Sequence, residues 1–291
     1  MRWLLLWIFF LFWCPAHAQQ GSEVYLIPVS GSGADLQLGE AINISQRPGY
    51  DNQPWFSPDG QQVIFSSLRD GQADLYAYSI AKKKLRAITQ TPTSEFSPRI
   101  TPDGQHLSCI VVEPDSTQRI WQMPWKPSGG PIQKLELAAP HLRRLGYYAW
   151  IDQQHLALFV ITEPFSLQVA TANAPTPKVV TAPIGRCVLP VPDEPAASFV
   201  DKRDSNSWVI KKYRADRPLR DLIPALDQQE DFCWTSEGGL LMFNKNGVLH
   251  YYHPKHHRQW QPIGATGLGA NLSRLSFDPQ GKYLAVVVAE E

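Results

Sequence analysis

A turn segment recurs six times along this 291-residue chain at nearly constant spacing. Its clearest copies are Ser57-Pro58-Asp59-Gly60, Thr101-Pro102-Asp103-Gly104 and Asp278-Pro279-Gln280-Gly281, each followed by an apolar, β-rich run. Fainter copies centre on Asp152, Asp193 and Glu237. Taking Asp59, Asp103, Asp152, Asp193, Glu237 and Gln280 as equivalent anchors gives intervals of 44, 49, 41, 44 and 43 residues. Self-similarity at roughly 40–50 residues, with four short strands to a unit, predicts an all-β chain folded as a six-bladed β-propeller.

The turn has a physical logic. Proline at its second position pre-sets φ, aspartate tolerates the third, and glycine takes the left-handed conformation that opens the next strand. Second strands follow at once, over residues 63–65, 107–112, 156–161, 197–200, 240–243 and 284–288. Third strands are read at 74–80, 119–125, 166–172, 208–213 and 248–252, and weaker fourth strands at 85–89, 132–137, 178–181, 219–223 and 259–263. The sixth repeat has only two strands before the chain ends, and two strand-like segments, 23–29 and 36–44, stand unassigned near the other terminus. The expected solution is a last blade closed by strands from both ends of the chain, which removes the open edge of a six-blade arc. The Gly31-Ser32-Gly33 piece then reads as a hairpin loop rather than a phosphate cradle.

Residues 1–18 read as a secretory signal peptide, with Arg2, an apolar core from Leu4 to Trp13 and an Ala16-His17-Ala18 cleavage site. The expected mature protein is therefore one propeller domain over 19–291, periplasmic or secreted, with no transmembrane segment. Removing the leader takes away Arg2 and no acid, leaving 26 basic against 27 acidic side chains. No basic excess exists to neutralise a phosphate backbone, so nucleic acid is not an expected partner. Three cysteines remain, Cys109, Cys187 and Cys233. They are read as buried thiols, with a Cys187–Cys233 bridge as the alternative in an oxidising compartment.

The turns sit in a wider pattern. Tyr50 to Gly60 reads YDNQPWFSPDG, followed by Val63-Ile64-Phe65 and Asp74-Leu75-Tyr76; Glu95-Phe96-Ser97-Pro98, Thr101 to Gly104 and Arg119-Ile120-Trp121 repeat it, and Leu275 to Gly281 keeps its turn. This resembles the PD40 (WD40-like) repeat of TolB-like six-bladed propellers, strongly over 46–125 and 270–290 and more loosely between. The resemblance implies the propeller fold and an envelope setting. TolB itself carries an extra N-terminal α/β domain, for which too few residues precede the first strand here, so a stand-alone propeller is expected. Related propellers also cap prolyl oligopeptidase-type peptidases, but no G-x-S-x-G nucleophile elbow occurs in this sequence.

No metal-binding H-E-x-x-H, phosphate-binding loop or EF-hand loop is present, and no cofactor is expected. His250, His253, His256 and His257 fall on an outer connection of blade five among Lys255 and Arg258, which favours a solvated hairpin over a metal site. His106 and His155 follow equivalent turns, and His141 is isolated. The remaining candidate is one mouth of the central channel, reached six to eight residues before each anchor. Asp51, Glu95, Arg144, Arg186, Glu230, Asp231 and Arg274 fall there. Charges of both signs converging on one opening suit a peptide terminus, a carboxylate or a sugar, or pair with one another between blades. Tyr50, Trp55, Tyr147, Tyr148, Trp150 and Trp234 lie near the same level.

These features point to a monomeric, non-catalytic binding propeller of the cell envelope that recognises a protein or peptide. The rival readings are a channel-based carbohydrate binder, lyase or hydrolase, and an accessory subunit of a separately encoded hydrolase.

Overall fold

The structure is a computed structural model and describes residues 21–126, 143–171 and 176–290. The expected signal peptide, His141 and the expected strand at 132–137 lie outside the described residues. Six antiparallel sheets surround a central channel as the blades of a propeller. Blade one runs through Asp51–Phe56, Gln62–Arg69, Gln72–Ser79 and Lys84–Ala87. Blade two is described from Ser94–Ile100, His106–Val112 and Gln118–Pro124. Blade three has Leu145–Trp150, His155–Val160, Ser166–Thr171 and Lys178–Thr181, and blade four has Ile184–Pro190, Ala197–Asp201, Val209–Arg214 and Arg217–Pro224. Blade five has Phe232–Trp234, Leu240–Phe243, Val248–Tyr252 and Gln261–Ala265. Among the described residues no helix is long and apolar enough to cross a membrane.

Blade six draws on both chain ends. Ser22–Ser30 pairs antiparallel with Tyr283–Ala289 over seven residues, from Ser22 opposite Ala289 to Pro28 opposite Tyr283, and Leu272–Phe277 completes the inner edge. The segment read as a single outer strand at 36–44 is instead two short pairings on Ser22–Ser30, made by Gln37–Leu38 and Ile42–Asn43. Pro28 has no N–H to donate to an outer partner, so the ladder breaks there, with Gly39 N–H bonding the Pro28 carbonyl at 2.8 Å.

The recurring turn works through its side chains. Ser57 Oγ accepts the Gln62 N–H at 3.0 Å and donates to Asp59, whose Oδ1 accepts the Gln61 N–H at 3.0 Å. Thr101 and Asp103 repeat this with His106 and Gln105 at 3.0 and 2.9 Å. Asp278 accepts from Lys282 at 3.0 Å, Thr235 from Gly239 at 3.0 Å, and Asp152 from His155 at 2.8 Å. The faint repeats around Asp152 and Glu237 thus keep a short oxygen side chain that satisfies N–H groups of the turn, whereas the turn at Asp193 has Val191 at that position and is closed by backbone bonds between Val191 and Ala196 and between Glu194 and Val191. Gly60 adopts φ +66°, and a Cβ there would lie 2.4 Å from the Asp278 carboxylate. Only glycine allows the turns of blades one and six to approach so closely.

Second strands read as unbroken apolar runs because both of their faces are buried, each against a different blade. Val63 and Phe65 pack with Val24, Leu26, Ala285 and Val287 of blade six, whereas Ile64 packs with Leu107, Cys109 and Val111 of blade two. Ile110 turns toward Tyr148, Leu156 and Leu158, while Ala157 and Phe159 face Phe199 and Tyr213. Two serines peg neighbouring blades. Ser108 Oγ accepts Tyr148 OH at 2.8 Å and Trp150 Nε1 at 2.9 Å, and Ser198 Oγ accepts Trp234 Nε1 at 2.8 Å. Tyr148, Trp150 and Trp234 therefore serve inter-blade packing.

Candidate functional site: the central channel

The six first strands run the same way around the channel, so residues early in them mark one end and residues late in them the other. At the early end Tyr50, Gln53, Phe96, Tyr147, Phe165, Arg186 and Glu230 line a cavity of about 470 Å³. At mid-strand a waist of about 30 Å³ is bounded by Gln53, Trp55, Arg99, Tyr147, Arg186, Asp231 and Arg274. Beyond it, on the turn side, adjoining cavities of about 320 and 420 Å³ share Trp55, Ile100, Pro190 and Val191.

A backbone device sets which side chains face inward. Gln53, Ser97 and Arg274 each stand six residues before their anchors with φ of 60°, 55° and 53°, beside register shifts in their strands. Such bulges re-aim the side chains that follow.

The expected mouth residues divide accordingly. Arg186 of blade four, Asp231 of blade five and Arg274 of blade six meet: Arg186 Nη2 lies 2.9 Å from Asp231 Oδ2, and Arg274 Nη1 lies 3.2 Å from Oδ1. Burial alone would raise the Asp231 pKa, but the charges of Arg274 and Arg186 and their hydrogen bonds hold it below the ordinary value. Arg274 also donates to Tyr147 OH at 2.5 Å and stacks on that ring at 4.3 Å. Glu230 accepts the Arg186 N–H at 3.0 Å and pairs with Lys202 at 2.6 Å, on the wall of the larger cavity.

Asp51, Glu95 and Arg144 stand elsewhere. Glu95 is fully buried inside blade two, accepting hydrogen bonds from Thr91 and, at 3.0 Å, from Thr93. Arg144 is exposed and lines none of these cavities. Asp51 is fully buried at the ring closure, with Arg47 Nε 3.9 Å away. Burial raises its pKa, and the nearby Glu290 adds to this against the Ser67 hydroxyl and the Arg47 and Arg69 charges. A carboxyl group with a raised folded pKa favours folding fully below its unfolded value of 3.8, and that contribution is lost as pH rises through the folded value. Asp51→Asn should therefore melt above the wild type at pH 7, with the difference vanishing near pH 3.5; thermal melts across that range check it.

The thiols offer no nucleophile. Cys187 and Cys233 are buried and free, and burial pushes Cys187 to about 12 and Cys233 well above its ordinary value. Of the blade-five histidines, His253, His256 and His257 sit on the connection between Val248–Tyr252 and Gln261–Ala265, whereas His250, expected there too, lies within the strand Val248–Tyr252, paired opposite Met242. Among the described residues no three His, Cys, Asp or Glu side chains are grouped in metal-binding geometry. Arg99 escaped the sequence analysis. The signal was a lone arginine four residues before Asp103, at the level Trp55 occupies in blade one.

No protein-family model matches the chain. An uncharacterized protein of Agrobacterium fabrum is 24% identical over 81 residues, which cover 28% of this chain and 28% of that protein. The chain thus aligns with little more than a quarter of that curated relative. Among solved structures, a candidate TolB from Agrobacterium tumefaciens superimposes with a TM-score of 0.67 at 15% identity, covering 94% of this chain and 100% of that one. The fold is that of the TolB-like six-bladed propellers. An oligogalacturonate lyase in complex with manganese shares the TolB-like arrangement more distantly, with a TM-score of 0.57 at 12% identity over 86% of this chain and 80% of that one. A TolB and a lyase both stand among these neighbours, so the fold leaves the chemistry to the channel residues.

Proposed function

We propose that this chain is an exported, non-catalytic binding propeller of the cell envelope that holds a protein or peptide partner at the channel mouth lined by Tyr147, Phe165 and Arg186. The proposed mature form is the monomeric propeller that follows a cleaved leader, in the periplasm or secreted. The observation that carries the reading is the cavity of about 470 Å³ in which Tyr147, the 45%-exposed Phe165 and the Arg186–Glu230 pair converge. Aromatic and arginine side chains beside a partly open cavity are the usual anchors of protein recognition. The acids nearest the channel suit binding better than acid–base work, because Asp231 is held ionised between two arginines and Glu230 is paired with both Arg186 and Lys202.

Affinity capture from an envelope extract tests this. The wild type should retain a partner; Phe165→Asp and Arg186→Glu should each weaken its retention about 10-fold or more. Val179→Asp, on the exposed outer strand of blade three, should retain it fully. Retention unchanged in both mouth variants would sink the reading. A captured hydrolase would make the chain an accessory subunit, and saturable oligosaccharide binding without a captured protein would favour the carbohydrate reading.

A further inference from the structure

Three guanidinium groups, those of Arg99, Arg186 and Arg274, border the channel waist, and the carboxylate of Asp231 is the acid that borders it with them. Asp231 is committed to Arg186 and Arg274. Arg99 has no carboxylate within 4 Å among the described residues. Its Nη1 donates to the Pro98 carbonyl at 2.8 Å, its guanidinium lies 4.3 Å over the Trp55 ring, and its fully buried Nε has no partner. Burial, with the neighbouring Arg274 charge adding to it, pulls Arg99 down to about 10, so it remains a cation at neutral pH without a counter-ion. A guanidinium left this way is costly to the folded protein and is relieved by an anion.

Arg99 also borders the turn-side cavity of about 420 Å³, whose wall includes Trp55, Ile100, Pro102, Trp150, Ile151, Pro190 and Val191. The neighbouring cavity of about 320 Å³ continues this apolar surface through Leu189, Trp234, Leu275 and Phe277. Partly or fully exposed acids also line the cavity that Arg99 borders: Asp152 is bonded to His155 at 2.8 Å, Glu194 is paired with Lys212 at 2.7 Å, and Asp193 is exposed. One buried cation in an apolar cavity that also bears acids selects a particular ligand: a single negative charge on an apolar body. A polyanion would meet those carboxylates.

We infer that Arg99 anchors a second ligand site, which takes the carboxylate of an apolar monocarboxylic acid at the waist and its hydrocarbon body in the turn-side cavity. The acid is either a free aliphatic acid or the C-terminal carboxylate of a peptide; the recognised chemistry is the same. The site lies across the waist from the proposed partner surface and stands whether or not that reading does, so Arg99→Met should leave partner capture unchanged.

Calorimetric titration of the purified protein with octanoate, octanamide, N-acetyl-leucine and trigalacturonate tests it. Octanoate or N-acetyl-leucine should bind saturably, with octanamide weaker by about 10-fold or more, since a charge-assisted hydrogen bond to the guanidinium is lost. Whichever carboxylate binds more tightly identifies the source. Arg99→Met should lower carboxylate affinity about 10-fold or more while Arg99→Lys keeps part of it, with melting curves confirming that both variants fold. The acid-versus-amide comparison on the wild type holds even if a variant does not fold. Equal binding of octanoate and octanamide, no carboxylate binding at millimolar concentration, undiminished binding by folded Arg99→Met, or tighter binding of trigalacturonate would each overturn the inference.

Discussion

Deleting residues 21–44 should abolish cooperative folding: the shortened chain is expected to show no thermal transition and to bind hydrophobic dyes at room temperature. The segment supplies Ser22–Ser30, which is paired along seven residues with Tyr283–Ala289, and it buries Val24, Leu26, Ile27, Leu36 and Ile44. Five aliphatic side chains at about 2 kcal/mol each contribute roughly 10 kcal/mol, an upper figure because the unfolded chain buries some of this surface already. Net domain stability is only about 5–15 kcal/mol, so the loss consumes most of it. Removal would also leave Tyr283–Ala289 with an open edge. Moving the same segment to follow residue 290 through a short glycine linker should restore the transition. Gly21 and Glu290 are already neighbours, with the Glu290 N–H bonding the Gly21 carbonyl at 2.8 Å. A cooperative melt from the deleted chain would show that the closure is not what completes the ring.

Asp231→Ala should be the most damaging substitution in the channel, lowering the melting temperature by roughly 4–6 °C. The carboxylate joins blades four, five and six through Arg186 and Arg274, and its removal leaves two guanidinium groups facing each other. Breaking a buried pair costs about 3–5 kcal/mol, reduced here to about 2–3 kcal/mol because the Arg186 side chain is 44% exposed and solvent screens it. For a chain of this size that converts to the stated shift. The pH dependence has the opposite sign to that of Asp51. Asp231 is held below 3.8, so its contribution is complete above that value and is lost as pH falls through the lower folded value. Wild type and variant should differ fully at pH 5–8 and draw together as pH falls below 3.8; melting curves in that series check both the size and the sign.

The parts of the fold legible in the sequence are those written in local chemistry. Ser57 and Thr101 satisfy N–H groups within five residues of themselves, and Asp152 and Thr235 do the same in repeats whose Pro-Asp-Gly had decayed. Second strands were legible because burial on both faces leaves no polar alternation to confuse with a loop. The shared last blade followed from counting strands at each end.

The site was legible only in part, because backbone bulges decide it. Asp51, Glu95 and Arg144 stand eight residues before their anchors and lie away from the channel cavities. Arg186 and Glu230, at seven, and Asp231 and Arg274, at six, face it. Arg99, at four, reaches the waist past the bulge at Ser97. One residue of register turns a side chain from the channel into a blade, and a window of six to eight residues spans both outcomes.

A partner seated at the mouth around Phe165 would lie within crosslinking reach of that side chain. The measurement is photo-crosslinking in an envelope extract, with p-benzoylphenylalanine replacing Phe165 in one sample and Val179 in another. A discrete adduct is expected from position 165, lost when Arg186→Glu is added, and none from position 179. Equal adducts from both positions, or an adduct from position 179 alone, would contradict a partner seated at that mouth.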